Sequence, residues 1–243
     1  MHQNELSLLD FLDNEVPLRR SAMFDPLEVP NYGFEEAVRY LHVPHTTLRY
    51  WLRPSVNLLE AADSRRNIFS FKNLVECYVL EGLRTTHGVR VPRIRKALNY
   101  LLENYESRHP LADYELNTDG RHIYFSDQGK ALVDISMRGQ LGLGPVLNTY
   151  LRRIEKNFAK GSWVLYPFTR PEQMCSSDEK PRVVSINPKI CFGLPVLIGT
   201  RVTTSVLASR RKGGDSDEVL ARAYGRPASE IAEAISWETG KAA

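Results

Sequence analysis

The stretch that decides the fold of the N-terminal half is Phe34-Glu35-Glu36-Ala37-Val38-Arg39-Tyr40-Leu41-His42-Val43-Pro44-His45-Thr46-Thr47-Leu48-Arg49-Tyr50-Trp51-Leu52-Arg53-Pro54. Phe34, Ala37, Val38 and Leu41 recur at i, i+3, i+4 and i+7, which marks one apolar face of a helix. His42-Val43-Pro44 interrupts it, and Pro44 suits the first turn of a new helix because it has no N–H to donate. The second helix runs over His45 to Arg53, with Leu48, Trp51 and Leu52 to one side. Thr46, Thr47, Arg49, Tyr50 and Arg53 lie towards the others. Two short helices across a tight turn, the second rich in hydroxyls and guanidinium groups, form a DNA-reading pair. Those groups donate to phosphate oxygens and guanine edges.

The residues that follow predict a wing. Asn57-Leu58-Leu59 and Asn67-Ile68-Phe69-Ser70-Phe71 can pair as two strands, with Glu60 to Arg66 as the tip. Arg65 and Arg66 make that tip basic, which suits a minor groove or flanking phosphates. A helix is expected over Leu74 to Leu83, a turn at Thr86-His87-Gly88-Val89, and a further helix over Val91 to Tyr105. Arg93, Arg95 and Lys96 crowd its first half.

Thr47-Leu48-Arg49-Tyr50-Trp51 resembles the signature of MerR-type helix-turn-helix domains. The likeness continues through Phe69-Ser70-Phe71-Lys72-Asn73-Leu74 and through Gly88-Val89-Arg90-Val91-Pro92-Arg93-Ile94-Arg95-Lys96-Ala97-Leu98. It implies that the second helix enters the major groove and that Arg49 and Tyr50 touch the phosphate backbone. By the same resemblance Thr46 and Thr47 are DNA contacts of that helix, and Arg65 or Arg66 that of the wing; His45 and Arg53, at the two ends of the helix, are further candidate DNA contacts.

The middle of the chain predicts a small fold of its own. Glu115 to Phe125 alternates around Asp119-Gly120, a hairpin signal, because that dipeptide supplies the positive φ of a tight turn. Val146, Leu147, Tyr150, Leu151 and Ile154 follow a helical stripe. Trp163 to Phe168 predicts a strand that Pro167 confines to an edge or an end. His109 and His122 have no Cys or carboxylate at ligand spacing, so a surface or core role is expected rather than a metal site. Gly139, Gly142 and Gly144 lack the strand and spacing of a dinucleotide fingerprint.

Arg182 to Val202 predicts strand, turn and strand, with Asn187-Pro188 as the turn. Helices are expected over Thr204 to Lys212, from Asp215 with Glu218 in a capping-box-like pair, and from Pro227 to the end. Val219, Leu220, Ala223, Tyr224, Ile231, Ala234 and Ile235 would share an apolar face. The last two helices could form a second helix-turn-helix. Glu230, Glu233 and Glu238 on its reading helix would repel phosphates, so DNA readout is expected from the N-terminal pair.

Asn187-Pro188-Lys189-Ile190, Phe192-Gly193, Pro195-Val196 and Gly199-Thr200-Arg201-Val202 resemble the small bacterial proteins grouped as domain of unknown function 433. These look like antitoxins of VapBC-type modules. The likeness implies a PIN-domain ribonuclease toxin as partner, encoded by a neighbouring gene. It also implies an architecture that joins a MerR-like reader to this tail. Arg201 and Tyr224 are then expected at the toxin or dimer contact, with Val184, Ile186 and Pro195 as surface or core members. Arg201 could equally pair a carboxylate inside the fold.

The resulting expectation is an α+β protein in four segments. Residues 1–30 form an acidic arm, 31–105 a winged helix-turn-helix, 106–180 a hairpin and helix spacer, and 181–243 a strand-turn-strand plus three-helix module. The chain has 243 residues and a formal charge of +3. By segment that charge is −4, +4, 0 and +3. Such asymmetry fits nucleic-acid contact through a module rather than the whole surface. Leu9, Phe11 and Leu12 in the acidic arm, beside Leu8, could dock on the toxin or on a second protomer. A homodimer would set two reading helices about 34 Å apart on operator DNA.

The longest charge-free run, Gly139 to Leu151, is 13 residues and carries Gln, Asn and Thr, too short and polar to span a membrane. The start lacks a basic n-region, so no secretory signal is expected. Cys77, Cys175 and Cys191 form no CxxC pair and fit a reducing, cytoplasmic setting. No Ser/His/Asp, Cys/His or paired-carboxylate constellation points to catalysis, and no cofactor or metal is expected. The second functional reading is a stand-alone MerR-like regulator that responds to a ligand. Regulators of that type carry a long dimerising coiled coil, whereas here the helix after Val91 stops by Tyr105.

Overall fold

The structure is a computed structural model that describes residues 25–118, 123–126, 133–134, 140–141, 152–157, 162–170 and 182–240. Its architecture is mixed α+β: eight α-helices and small antiparallel sheets among the described residues.

Helix α1 (Phe34–Leu41) starts where the Glu36 carboxylate accepts from the Gly33 N–H at 2.8 Å. It ends at His42, which turns left-handed at φ 53°. Helix α2 (His45–Trp51) follows at once, with Pro44 at its N-cap rather than inside its first turn. Ala37, Tyr40 and Leu41 of α1 and Leu48 and Trp51 of α2 are buried.

The strand pair expected for a wing is reduced to isolated bridges. Residues 57–59 form no strand, and Asn57 is left-handed (φ 48°), which breaks extended pairing. What remains is one antiparallel bridge, Asp63 to Ile68, and a second from Phe69 to Tyr32. Ser70 leaves the extended segment to cap α3 (Phe71–Glu81), its Oγ accepting from Asn73 N–H at 3.2 Å while Asn73 Oδ1 accepts from Ser70 N–H at 3.1 Å.

Nearly every residue of α3 is buried, which makes it the central post of the molecule. It runs on into a π-helical turn over Gly82–Thr86. Helix α4 (Val91–Asn104) and the short α5 (Pro110–Asp113) complete the N-terminal half.

Strands β1 (Glu115–Thr118) and β2 (Ile123–Ser126) pair antiparallel with Leu116 opposite Phe125. The predicted hairpin is present, and its Asp119-Gly120 turn lies outside the described residues. β3 (Val133–Asp134) and β4 (Gln140–Leu141) extend the sheet in chain order. Ile154 opens a strand, β5 (Ile154–Asn157), instead of closing a helical stripe. β5 pairs with β6 (Ser162–Leu165), so Ile154 faces Leu165 across a ladder. The rest of that stripe, and Gly139, Gly142 and Gly144, lie outside the described residues. So does His122.

β6 reaches the C-terminal part through two bonds, Leu165 N–H to Ile186 O (2.9 Å) and Ile186 N–H to Leu165 O (2.8 Å). β7 (Val184–Ser185) then pairs with β8 (Val196–Leu197). Helices α6 (Thr204–Lys212), α7 (Asp217–Tyr224) and α8 (Ala228–Thr239) follow. Ser216, not Asp215, caps α7, because its hydroxyl accepts from Val219 N–H while the Asp215 carboxylate takes Arg210 Nε at 2.7 Å. Pro227 sits at the N-cap of α8, one residue before its first turn. Leu220, Ile231 and Ala234 are buried as expected, but Val219 and Ala223 face solvent. One hydrophobic cluster runs from Leu27 to Trp237 and draws on all the expected segments beyond the arm's first residues.

Candidate nucleic-acid interface

Burying Leu48 and Trp51 turns the other side of α2 outward, because positions three apart share a face. His45, Thr46, Arg49 and Arg53 are exposed, and Thr47 and Tyr50 are half-buried. The Arg49 guanidinium lies 5.5 Å from the centre of the Phe34 ring, and that of Arg53 5.9 Å from Tyr50. Aromatic faces hold guanidinium groups without using up their donors, so both stay available to an anion. His45 Nε2 lies 3.4 Å from the exposed Glu35 carboxylate.

The turn between Asp63 and Ile68 is set by one residue. Asp63 Oδ1 accepts from the backbone N–H of both Arg65 and Arg66, each at 3.1 Å. Both arginine side chains are exposed, Arg66 with a loose 3.9 Å contact back to Asp63. Arg95 donates Nε to Val56 O at 2.8 Å, which fastens α4 to the loop after α2. Of the cations expected on α4, Arg95 is therefore partly committed to structure, Arg93 is half-buried and Lys96 is exposed.

The C-terminal helices close over the other side of α1. Arg39 Nη1 meets the Glu238 carboxylate at 3.2 Å, and the Tyr40 ring stacks on Trp237 with centres 5.4 Å apart. Burial pushes the Tyr40 hydroxyl up to about 12. His42 sets its ring edge-on to Trp237 at 6.4 Å, and burial lowers its pKa against a hydrogen bond to the Phe168 backbone. His42 is thereby kept neutral at the meeting point of three parts of the chain.

Each α8 carboxylate already has a partner: Glu230 with Arg226 (2.6 Å), Glu233 with Thr169 and Arg170, and Glu238 with Arg39 and Thr204. Helix α8 packs against α6 and α7 and touches α1.

Arg201 is exposed and makes no ion pair among the described residues, so the internal-carboxylate alternative does not hold there. Tyr224 is half-buried; its hydroxyl accepts from Arg210 Nη1 at 3.0 Å and its ring lies under the same guanidinium. Val184, Ile186 and Pro195 are buried. Leu8, Leu9, Phe11 and Leu12 lie outside the described residues.

His109 is a buried core histidine. Its Nε2 is 2.7 Å from Glu28 and its Nδ1 is 2.9 Å from the wholly enclosed Glu76. Burial disfavours the imidazolium, but two flanking carboxylates outweigh that and raise its pKa. Burial also opposes the charge on Glu28, yet Lys72 (2.7 Å) and His109 hold its carboxyl below the usual range. Lys72 also reaches Asp113 at 3.1 Å. Among the described residues no group of three or more His, Cys, Asp or Glu side chains could hold a metal ion. No helix there is long and apolar enough to cross a membrane.

Residues 184–237 match the family described as "Protein of unknown function (DUF433)". The chain is also similar to a protein of Mycobacterium tuberculosis (strain ATCC 25618 / H37Rv) described as "Putative antitoxin VapB45". The two are 26% identical over 249 residues, covering 92% of this chain and 97% of that one. The crystal structure of Rv2018 from Mycobacterium tuberculosis has a similar fold, with a TM-score of 0.59 at 24% identity over 85% of this chain and 98% of that one. The similarity to that mycobacterial protein thus extends well past the DUF433 match, into the helices around α2.

Proposed function

We propose that this chain is the antitoxin of a toxin–antitoxin module and acts in the cytoplasm. In this reading the 31–105 segment is a winged helix-turn-helix of MerR-like type. It binds operator DNA as a homodimer and represses the operon. The 181–243 segment neutralises a PIN-domain ribonuclease toxin from a neighbouring gene. The acidic arm, residues 1–30, adds its apolar side chains to the toxin or dimer contact, and residues 106–180 space the two modules. No catalysis and no cofactor are required of it.

The observation that carries this reading is similarity along almost the full length of both chains to a protein described as an antitoxin. Two structural facts support the DNA half. Helix α2 presents His45, Thr46 and Arg49 on one open side, with Arg53 exposed just past its end, and Asp63 holds the backbone of two arginines in a nearby turn. Hydroxyl and guanidinium groups on a short second helix are the chemistry of groove and phosphate contact.

The test is expression of the neighbouring open reading frame alone and then with this chain. Growth arrest that this chain relieves, with the two proteins co-purifying, is the expected result. A neighbour that is harmless alone and does not co-purify overturns the antitoxin reading and favours a stand-alone regulator.

A further inference from the structure

We propose that the Ile190–Leu194 loop is a second DNA contact, with Phe192 entering the minor groove beside the site read by α2 and Lys189 and Arg201 on the flanking phosphates. This rests on the DNA-binding reading above.

Phe192 is 90% exposed, the one aromatic among the large exposed apolar side chains of the described residues. Its backbone is held in an unusual shape. Cys191, Phe192 and Gly193 have successive φ values of 48°, 55° and 81°. Side-chain-bearing residues adopt that region only where their surroundings impose it, and such outliers gather at binding sites. Here Asn31 Nδ2 donates to Phe192 O (2.8 Å), Tyr32 Oη to Gly193 O (3.1 Å) and Cys191 Sγ to Arg201 O (3.3 Å). All three bonds grip main-chain oxygens. The fold therefore rigidly presents a ring from whose packing it gains nothing.

Charge and position select nucleic acid as the occupant. From Arg182 to Gly214 the chain holds six Lys and Arg and no Asp or Glu. Arg182, Arg210 and Arg211 are paired with Glu155, Asp215 and Asp217, but Arg201 has no ion pair among the described residues. The bond to Asn31 places the loop at the start of α1, three residues before Phe34, whose ring meets both His45 and Arg49 of α2. The first helix of such a pair crosses the DNA backbone, so a loop at its start lies along the flank of the groove being read. Of the nearby carboxylates, Glu36 is turned back onto the Gly33 N–H and Glu35 faces His45. An apolar wedge flanked by Lys and Arg is the chemistry of minor-groove contact.

The experiment uses the full chain and a duplex covering the DNA immediately upstream of its own coding sequence. Affinity is followed by fluorescence anisotropy across a salt series, and bending by energy transfer between end labels. Phe192→Ala should weaken binding about tenfold and reduce the bend without changing the salt slope, while Phe192→Trp retains both. Arg201→Ala should lower the salt slope by about one. Phe192→Ala should melt with the wild type, since the bonds that hold the loop use main-chain oxygens. A Phe192→Ala protein that binds and bends DNA like the wild type overturns the proposal. If that variant instead loses a co-expressed toxin, the loop belongs to a protein partner and the proposal falls too. Binding that responds to Arg49→Ala but not to Phe192→Ala overturns this inference alone. A wild type that binds no DNA overturns the DNA-binding reading with it.

Discussion

Tyr40, in the last turn of α1, stacks on Trp237 of α8, ring centres 5.4 Å apart and 17° from parallel. Both rings are almost wholly buried, and the Arg39–Glu238 ion pair closes the same seam. The two ends of the described chain are thus joined through apolar area, to which the ion pair adds orientation.

Trp237→Ala should cost about 3–5 kcal/mol, the range for emptying a large aromatic site. Trp237→Phe should cost far less. The indole N–H is buried with no partner among the described residues, so its loss removes an unmet donor along with some area. Denaturant unfolding of both variants checks this. If Trp237→Phe proves as damaging as Trp237→Ala, the stack is not what joins the seam.

Arg49→Ala should weaken duplex DNA binding and lower its salt slope by about one, through loss of one phosphate contact. Stability should hardly change, because Arg49 is exposed. Its neighbour Leu48 is fully buried, so Leu48→Ala should instead cost about 2–5 kcal/mol of stability. Salt titrations beside thermal melts separate the two effects. An unchanged salt slope for Arg49→Ala removes that side chain from the interface.

Gly193→Ala meets two obstacles. The residue sits at φ 81°, and a Cβ there would come within 2.3 Å of the Tyr32 hydroxyl. A loss of about 1–3 kcal/mol is expected. Adding Tyr32→Phe should recover part of it by removing the clashing oxygen, leaving the backbone cost. If the double variant is no better than the sum of the singles, the clash is not the cause.

His109→Gln probes the buried charge cluster through pH. The folded-state pKa of His109 is raised from 6.5, so its stabilisation is complete below the unfolded value and fades as pH rises through the folded one. Glu28 works in the other direction, since its lowered pKa gives stability that is lost as pH falls through its folded value. Melting curves from about pH 6 to about pH 9 should show the gap between wild type and His109→Gln shrinking with pH. A constant gap means the imidazolium is not what ties Glu28 to Glu76.

Several elements were legible before any coordinates because local chemistry specifies them. Apolar spacing and Pro44 marked α1 and α2, the alternation around Asp119-Gly120 marked β1 and β2, and Thr204 to Lys212 formed the helix predicted there. The strand expected at 57–59 and the helical placing of Ile154 differ from the structure for a common reason. Short apolar runs carry no period long enough to separate strand, helix and packed loop. The outward residues of α2 follow from the helical period, whereas nothing in the sequence around Phe192 marks it as exposed.

By itself the sequence determined where most helices run, which side of α2 is apolar, how charge is divided along the chain, and the likeness to DUF433 proteins. Those properties depend on neighbours within a turn or two, or on residue identity alone. Only the tertiary structure decided that Tyr40 and His42 are interior, that α8 is covered and its carboxylates matched, that His109 bridges Glu28 and Glu76, and that Phe192 stands in water. Each depends on a partner far away in the chain, and separations such as Asn31 to Phe192 leave no periodic trace for a sequence to show.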